Sequence, residues 1–340
     1  FACTTLCGQM ISVYQYPRPA LLILGGSTAV AATVGYLFGR NKRVWCRYLC
    51  PVSGVFALLA KLAPLHFRVD LGLWQQSQLA REKPGPVNCA PLVPLRTMRG
   101  ASDCHMCGRC SGFRGAIRLA RRSPNHEIVH VAGQTAKPWE TVLIVFGLMG
   151  LALGAFQWSA SPWFVAVTQW TAARLVEAGV TWPLDNTAPW WLLTNYPERN
   201  DVLTLLDGTM LVAYVVAVAL GSGAATISML FLSARCLGSW NASRFHHLAQ
   251  ALIPLAGAGV FLGLSSLTVS QLRSDDIIVP FVGEMRAAVL VMAAAWSAIL
   301  CWRITALYTS TRSRQAITLS FFCAAMLPCN AGWFLLFAVW

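Results

Sequence analysis

The chain has 340 residues, of which 56% are hydrophobic and only 11% are charged, and its formal net charge is +13. Soluble domains carry about 25% charged residues, so this composition excludes an ordinary soluble protein. A mean hydropathy of +0.55 indicates that more apolar residues are present than one core can bury, and the excess must face lipid. Nucleic-acid binding is not expected, because it requires a solvated basic face rather than an apolar background.

Apolar stretches of about 20 residues predict membrane-spanning helices. Six are found: Ala20–Gly39, Trp139–Ser159, Val202–Leu232, Phe245–Leu272, Ala287–Tyr308 and Gln315–Trp340. The apolar stretch Val52–Leu65 has only 14 residues and contains Lys61. We interpret it as a re-entrant or interfacial helix.

The distribution of Lys and Arg predicts the orientation of these helices. If segment 40–138 is cytoplasmic, 21 of the 26 basic residues lie on that side of the membrane, as the positive-inside rule requires. The residues before Ala20 and the C-terminus are then outside the cytoplasm. The outer segment 162–200 is rich in Trp, which predicts either an amphipathic helix in the headgroup layer or a plain aromatic belt.

The twelve cysteines include one closely spaced run, Cys104-His-Met-Cys107-Gly-Arg-Cys110. Its C-x2-C-x2-C spacing is how bacterial ferredoxins hold a cubane iron–sulfur cluster, because one tight loop directs three thiolates at three irons. The fourth cysteine of a complete run would fall at Arg114, so the fourth ligand must come from elsewhere. A zinc site and unligated cysteines are the alternatives.

A second pair, Cys46 and Cys50, forms a C-x3-C-P motif with Pro51 directly after the first predicted span. A Cys-Pro pair commonly ends the ferredoxin run, which makes Cys50 the first candidate for the fourth ligand. Cys46 and Cys89 are alternates, and Cys46 and Cys50 could instead be small apolar residues at a helix end. One cluster is expected, because a second would lack two ligands on this side of the membrane.

Cys3 and Cys7 repeat the C-x3-C spacing at the opposite end of the first span. In the predicted topology they lie on the outer face, where they could form a redox dithiol, a copper or iron site, or a disulfide. The remaining four cysteines have no companion at metal-ligand spacing. We interpret Cys301, Cys323 and Cys329 as packing residues of apolar helices, whereas Cys236 flanks a helix end and indicates no particular role.

Segment 40–138 carries 16 basic and four acidic residues. Positive charge stabilises the reduced form of an anionic cluster, and anionic lipid headgroups are the competing partner. The arginines concerned are Arg109, Arg114, Arg118, Arg121 and Arg122. His246 and His247 could serve a haem b or a quinone, but adjacent helical residues point about 100° apart and cannot both bind one metal.

These motifs resemble the polyferredoxin-like membrane proteins, on the evidence of Gly39–Pro51 and Cys104–Cys110 with membrane helices around them. That group includes the quinol-dehydrogenase membrane subunit of periplasmic nitrate reduction, the membrane regulator of nitrous-oxide reductase and the cbb-type oxidase accessory protein. The resemblance covers about residues 1–130. It implies 4Fe–4S clusters and electron transfer between the inner membrane and a periplasmic reductase or metal ion, although this chain has one incomplete cysteine run where the group has two complete ones.

The expected fold class is therefore an all-α polytopic protein of the bacterial inner membrane, with about six transmembrane helices and a cytoplasmic ferredoxin-like iron–sulfur loop. Three segments are expected. Residues 1–65 hold the first span and both C-x3-C motifs, residues 66–138 form the basic iron–sulfur loop, and residues 139–340 form the membrane bundle.

The predicted function is electron relay between a quinol or cytoplasmic donor and a periplasmic acceptor, which is a redox enzyme or an iron or copper ion during uptake. A metal-transport permease subunit, or an assembly factor with a structural or sensory cysteine site, is the alternative. Expected partners are membrane or periplasmic redox or transport subunits, anionic lipids and quinol. Whether the chain is itself an oxidoreductase enzyme is left open.

Overall fold

The computed structural model describes residues 1–39, 42–79, 85, 87–102, 104, 106–135 and 137–340. They form two compact units, one made of Phe1–Gly25 and Thr141–Trp340 and the other of Gly26–Glu140. We call the first the membrane unit and the second the cysteine unit. The boundaries expected at residues 65 and 138 divide the chain by its position relative to the membrane. The two compact units do not test these boundaries, which stay a prediction.

Six helices in the described part of the chain are long and apolar enough to cross a membrane, as the hydropathy predicts. They are Pro17–Phe38, Pro138–Gln157, Leu205–Cys236, Ile253–Ser274, Val282–Tyr308 and Arg312–Val339. The third begins at Leu205 rather than near Val202 because Thr204 and Asp207 form a capping box. In it the Asp207 carboxylate accepts the Thr204 backbone N–H at 2.9 Å.

The stretch predicted as one span over Phe245–Leu272 is two helices, Ala242–Gln250 and Ile253–Ser274. The prediction of a continuous helix is wrong because Pro254 stands in the first turn of the second helix. Proline lacks a backbone N–H and its ring clashes with the preceding turn, so the chain breaks before it.

Glycines let helices of the membrane unit approach closely. A Cβ built on Gly150 would lie 2.9 Å from the Ala219 Cα, and one on Gly154 would lie 3.1 Å from the Val215 Cα. Small residues at such crossings are typical of membrane helices, because close backbones gain dispersion contacts that lipid cannot provide. A buried polar contact adds to the packing, since Gln157 Nε2 donates to the Gly332 carbonyl at 2.6 Å.

The outer segment begins with the helix Pro162–Glu177, which the Ser161 hydroxyl caps by accepting the Phe164 backbone N–H at 3.4 Å. After it come short turns at Trp182–Leu184 and Pro197–Arg199. Asn195–Tyr196 pairs antiparallel with Asp201–Val202. The helix Ala2–Met10 also belongs to the membrane unit. The helical prediction for the start of this segment is confirmed, and its place in the headgroup layer stays a prediction.

The cysteine unit contains a two-stranded antiparallel sheet that the sequence analysis did not predict. Strand β1, Leu65–Val69, pairs with strand β2, Ile117–Arg121, so that Phe67 faces Leu119. The unit also contains short helical segments: Trp45–Leu49, Ser53–Leu62, Leu71–Leu79, Leu95–Thr97, Phe113–Gly115, Glu127–Val131 and Ala132–Thr135. Helix Ser53–Leu62 confirms the short apolar helix predicted over Val52–Leu65.

A small apolar core holds this unit together. Phe67, Trp74, Ala116 and Ile117 are buried in it together with the cysteine Cys110. The sheet and the helix Leu71–Leu79 therefore pack directly against one end of the Cys104–Cys110 run.

Candidate iron–sulfur site

Four cysteines line one partly open cavity of the cysteine unit: Cys89, Cys104, Cys107 and Cys110. We call it the cysteine cavity. Apart from Arg109, the other lining residues are apolar or small: Phe67, Pro91, Val93, Leu95, Met98 and Gly108. Four thiolates around one space match the donor set of a cubane, in which each sulfur binds a different iron. The residues present therefore fit a 4Fe–4S cluster.

Tight turns bring the three cysteines of the run to this cavity. Met106 and Gly108 both have positive φ, at 52° and 76°, a conformation that glycine adopts freely and other residues adopt only at special positions. The Cys104 backbone N–H donates to the Ala101 carbonyl at 3.0 Å. The loop is thus folded back on itself before and within the run, as the two-residue gaps predict.

Cys89 reaches the same cavity from a separate turn. Its carbonyl accepts the Leu92 backbone N–H at 3.3 Å and the Lys42 ammonium at 3.2 Å. Its own backbone N–H donates to the Val87 carbonyl at 3.0 Å. These contacts fix the backbone of Cys89, so the sulfur is presented by a structured turn.

Backbone N–H groups point at two of the four sulfurs. Val93 donates to Cys89 Sγ and Met106 donates to Cys104 Sγ, both at 3.4 Å. Such donors stabilise negative charge on sulfur and raise the reduction potential of an iron–sulfur cluster. The Met106 N–H lowers the pKa of Cys104, although burial has the larger effect on this thiol.

Burial acts in the opposite direction on the free thiols. It raises the pKa of Cys104 and of Cys110, and neighbouring cysteines, including Cys89, raise both further. Without a metal, these two thiols are protonated at neutral pH. Iron binding must displace their protons.

Cys46 and Cys50 do not line the cavity. Cys50 ends the Trp45–Leu49 turn with extended backbone angles, as expected for a residue before proline, and its carbonyl accepts the Ser53 hydroxyl at 2.8 Å. The structure thus brings Cys89, the alternate, to the run and leaves Cys50, the first candidate, outside the cavity lining. Cys46 and Cys50 are both partly exposed.

The five arginines named from the sequence do not act as one group. Only Arg109 lines the cysteine cavity. The Arg114 guanidinium lies 5.2 Å from the Trp74 ring centre and donates to the Ser77 hydroxyl at 3.2 Å. The residue at the position of the missing fourth cysteine therefore faces the helix Leu71–Leu79.

Sequence reasoning missed Glu127, which is buried in the cysteine unit. Its carboxylate pairs with the Arg122 guanidinium and accepts the Ala101 backbone N–H at 2.8 Å. A Cβ on Gly100 would collide with the same carboxylate. The sequence signal that could have indicated Glu127 is its position as an acidic residue at the start of an apolar stretch within a basic segment.

Cys3 and Cys7 lie one helical turn apart on Ala2–Met10, with their sulfurs 3.9 Å apart. Both side chains are exposed thiols. Burial raises the pKa of Cys7, and Cys3 raises it further. The two sulfurs are close enough to act together, and their role stays a proposal.

His246 and His247 diverge, as adjacent helical residues should. His246 Nδ1 lies 2.9 Å from the Thr141 hydroxyl and His247 Nδ1 lies 2.6 Å from the Tyr308 hydroxyl. Each histidine thus connects its helix to a different neighbour within the membrane unit.

No three His, Cys, Asp or Glu side chains in the described ranges form a group that could hold a single metal ion. A cubane holds its thiolates farther apart than a single ion does, because each thiolate binds a different iron.

Residues 21–70 match a protein family described as a 4Fe-4S binding domain. The protein binds a 4Fe–4S cluster. The predicted cofactor is thereby confirmed, as is the broader likeness to ferredoxin-like iron–sulfur proteins. The matched segment includes Cys46 and Cys50 and ends before the cavity cysteines, so it leaves open which cysteines are the ligands.

The chain is also similar to YccM of Escherichia coli (strain K12), which is named as a candidate electron transport protein. The two are 24% identical over 164 residues, which cover 45% of this chain and 42% of YccM. The chain thus spans less than half the length of this relative. No solved structure matches the chain. The comparisons support iron–sulfur electron transfer, and the narrower resemblance to nitrate and nitrous-oxide reduction proteins stays a prediction.

Proposed function

We propose that this protein is a membrane-bound electron relay whose 4Fe–4S cluster is held by Cys89, Cys104, Cys107 and Cys110. The relay runs between a quinol or cytoplasmic donor and a periplasmic acceptor. The observation that carries the proposal is that these four cysteines line one cavity in a chain with six helices suited to cross a membrane.

When bound, the cluster supplies reversible one-electron chemistry. The residues of this chain hold it and adjust its surroundings. Phe67, Val93 and Met98 line the cavity with apolar groups, and of the four cysteines Cys110 is buried whereas Cys107 is exposed. The Val93 and Met106 backbone N–H groups and the charge of Arg109 favour the reduced state.

A groove in the membrane unit supports a quinol as the donor. It lies between Val282–Tyr308 and Arg312–Val339, has a volume of about 670 Å³ and is lined mostly by apolar side chains. Arg286 and Asn330 supply its polar groups, and the Arg286 guanidinium stacks 4.4 Å from the Phe337 ring centre. An apolar groove with a few polar groups suits a quinol with an isoprenoid tail.

The outer face supports a periplasmic acceptor. In the topology predicted from Lys and Arg, the cysteine unit is on the cytoplasmic side of the bacterial inner membrane and Cys3 and Cys7 are on the periplasmic side. The two sulfurs, 3.9 Å apart, suit a dithiol that gives two electrons and two protons to a redox subunit as its disulfide forms. Two successive electrons from the cluster, with two protons from water, would restore the dithiol. The two sulfurs suit equally the transient binding of a soft metal ion that is the substrate of the relay.

Redox spectroscopy tests the proposal on the full chain, purified anaerobically in detergent. We expect broad absorbance in the blue-visible region, a paramagnetic signal after reduction with dithionite, and the same reduction with a quinol analogue. The Cys236→Ser variant, which removes a cysteine outside both motifs, is the matched control and should behave as the wild type. A colourless protein with stoichiometric zinc would contradict the proposal.

A further inference from the structure

A second cavity of the cysteine unit is strongly basic. It has a volume of about 500 Å³, within the range of small-ligand sites. The described part of its lining contains no Asp or Glu. The basic residues of this lining are Arg68, Arg99, Arg121, Arg122, His66 and His126. We call it the basic cavity.

Buried polar atoms in the basic cavity have unused hydrogen-bonding capacity. The Arg122 side chain is only 4% exposed and pairs with Glu127, yet its Nη1 makes no hydrogen bond within the described residues. The buried Nδ1 of His66 makes none either. Buried polar groups in proteins almost always have partners, and guanidinium nitrogens only donate, so Arg122 Nη1 marks a position for a ligand that accepts a hydrogen bond.

The arrangement of charge also favours the binding of an anion. Arg68 on β1 directly faces Arg118 on β2, and like charges in that register repel. Burial and then the charge of Arg122 lower the pKa of His66. Glu127 offsets part of this positive charge by pairing with Arg122, and a bound anion would offset more of it.

We propose that the basic cavity binds a phosphate group, carried by an anionic lipid or by a soluble phosphate compound, and that the bound anion tunes the cluster. Guanidinium forks bind phosphate through paired charge-assisted hydrogen bonds. A phosphate also offers more oxygens to four arginines than a single carboxylate does.

The tuning follows from a shared wall. Phe67 and Met98 line both the basic cavity and the cysteine cavity, so a bound anion lies one layer of side chains from the four cysteines. Negative charge at that position disfavours the reduced cluster and lowers its reduction potential. This second step rests on the proposed function, whereas the binding step does not.

Binding is tested by calorimetry with the full chain in nanodiscs, using inorganic phosphate as the probe. We expect saturable binding to the wild type. The double variant Arg68→Gln/Arg121→Gln should bind at least about tenfold more weakly, because charge-assisted hydrogen bonds are lost. Both arginines are exposed, so their replacement should leave the fold intact. Arg96→Gln, an exposed arginine outside the basic cavity, is the control.

The source of the phosphate is distinguished by lipid composition. The same binding is measured with nanodiscs of phosphatidylcholine alone and with added phosphatidylglycerol. If phosphatidylglycerol occupies the basic cavity, phosphate should bind more weakly in nanodiscs that contain this lipid. This weakening is expected only when Arg68 and Arg121 are both present. Equal phosphate binding by the double variant and by Arg96→Gln in both lipid compositions would overturn the proposal. It would show that the loss of any positive charge weakens binding.

The redox step has its own readout. A potentiometric titration followed by electron paramagnetic resonance should show a lower midpoint potential with phosphate bound, and no shift in the double variant. Phosphate binding without a cluster signal would overturn the proposed function and leave the phosphate site standing. A cluster whose midpoint potential is unchanged at saturating phosphate would overturn the proposed tuning.

Discussion

The buried Glu127 carboxylate accepts the backbone N–H of Ala101 at 2.8 Å. The Ala101 carbonyl in turn accepts the Cys104 backbone N–H at 3.0 Å. A side chain outside the cysteine run thus fixes the start of the run. Because Arg122 pairs with the same carboxylate, the basic cavity and the cysteine run share one buried anchor.

Glu127→Gln should destabilise the cysteine unit and lower its iron content. The change leaves Arg122 buried without a counter-charge, which costs about 3–5 kcal/mol in comparable buried pairs. Denaturant unfolding and iron per chain are the measurements. Glu177→Gln, which removes the exposed partner of Arg174, should cost less than about 1 kcal/mol. Equal effects of the two variants would contradict the anchoring role.

A second buried ion pair joins Lys61 to Glu140 at 2.8 Å, with side chains 4% and 10% exposed. Lys61→Met should cost about 3–5 kcal/mol, because it removes a cation that lies 2.8 Å from a buried carboxylate. The double variant Lys61→Met/Glu140→Leu should recover most of that loss, since no buried charge remains. A double-mutant cycle of thermal unfolding measures the coupling, and additive losses would contradict it.

The stability of the cysteine unit should fall at mildly acidic pH. Burial, then Arg122, lower the pKa of His66 below its ordinary value of 6.5, against smaller opposing contributions that include Glu127, while His126 lowers it slightly more. A histidine with a lowered pKa stabilises the fold above its unfolded pKa, and this stability is lost as the pH falls through that range. His66→Gln should flatten this dependence in unfolding measured between about pH 7 and 5. His126→Gln is measured alongside for comparison. If His66→Gln leaves the dependence of unfolding free energy on pH unchanged, the assignment of this dependence to His66 is contradicted.

The helix crossing at Gly150 should not tolerate a larger side chain. Even a methyl group there would meet the Ala219 backbone at 2.9 Å, so Gly150→Val should separate the helices and lower the melting temperature. Gly221 has nothing within 4 Å of the same added atom. Gly221→Val is therefore the matched control, and a similar loss in both variants would show that helix propensity rather than packing is responsible.

The membrane helices could be predicted from sequence because their signal is local. Each span is one apolar stretch, and the main correction, the break before Pro254, also follows from a single residue. The cysteine run was predictable for the same reason. Its two-residue spacing allows few arrangements other than a tight loop.

The rest of the site depends on contacts between distant residues. Cys89 reaches the run from a separate turn, and it has no following proline, so the sequence favoured Cys50 as the fourth ligand. Glu127 matters because Gly100 approaches it closely and Arg122 pairs with it, and neither contact has a sequence motif. The pairing of β1 with β2 was missed because each strand is only five residues long.

Cluster content in Cys89→Ser and Cys50→Ser is the most direct test of the ligand set. Iron, acid-labile sulfide and the paramagnetic signal of the reduced protein would be measured in each variant beside the wild type. We expect Cys89→Ser to lose the cluster or alter its signal strongly, and Cys50→Ser to keep wild-type content. Loss of the cluster in Cys50→Ser with full retention in Cys89→Ser would contradict the assignment of Cys89, Cys104, Cys107 and Cys110 as the ligands.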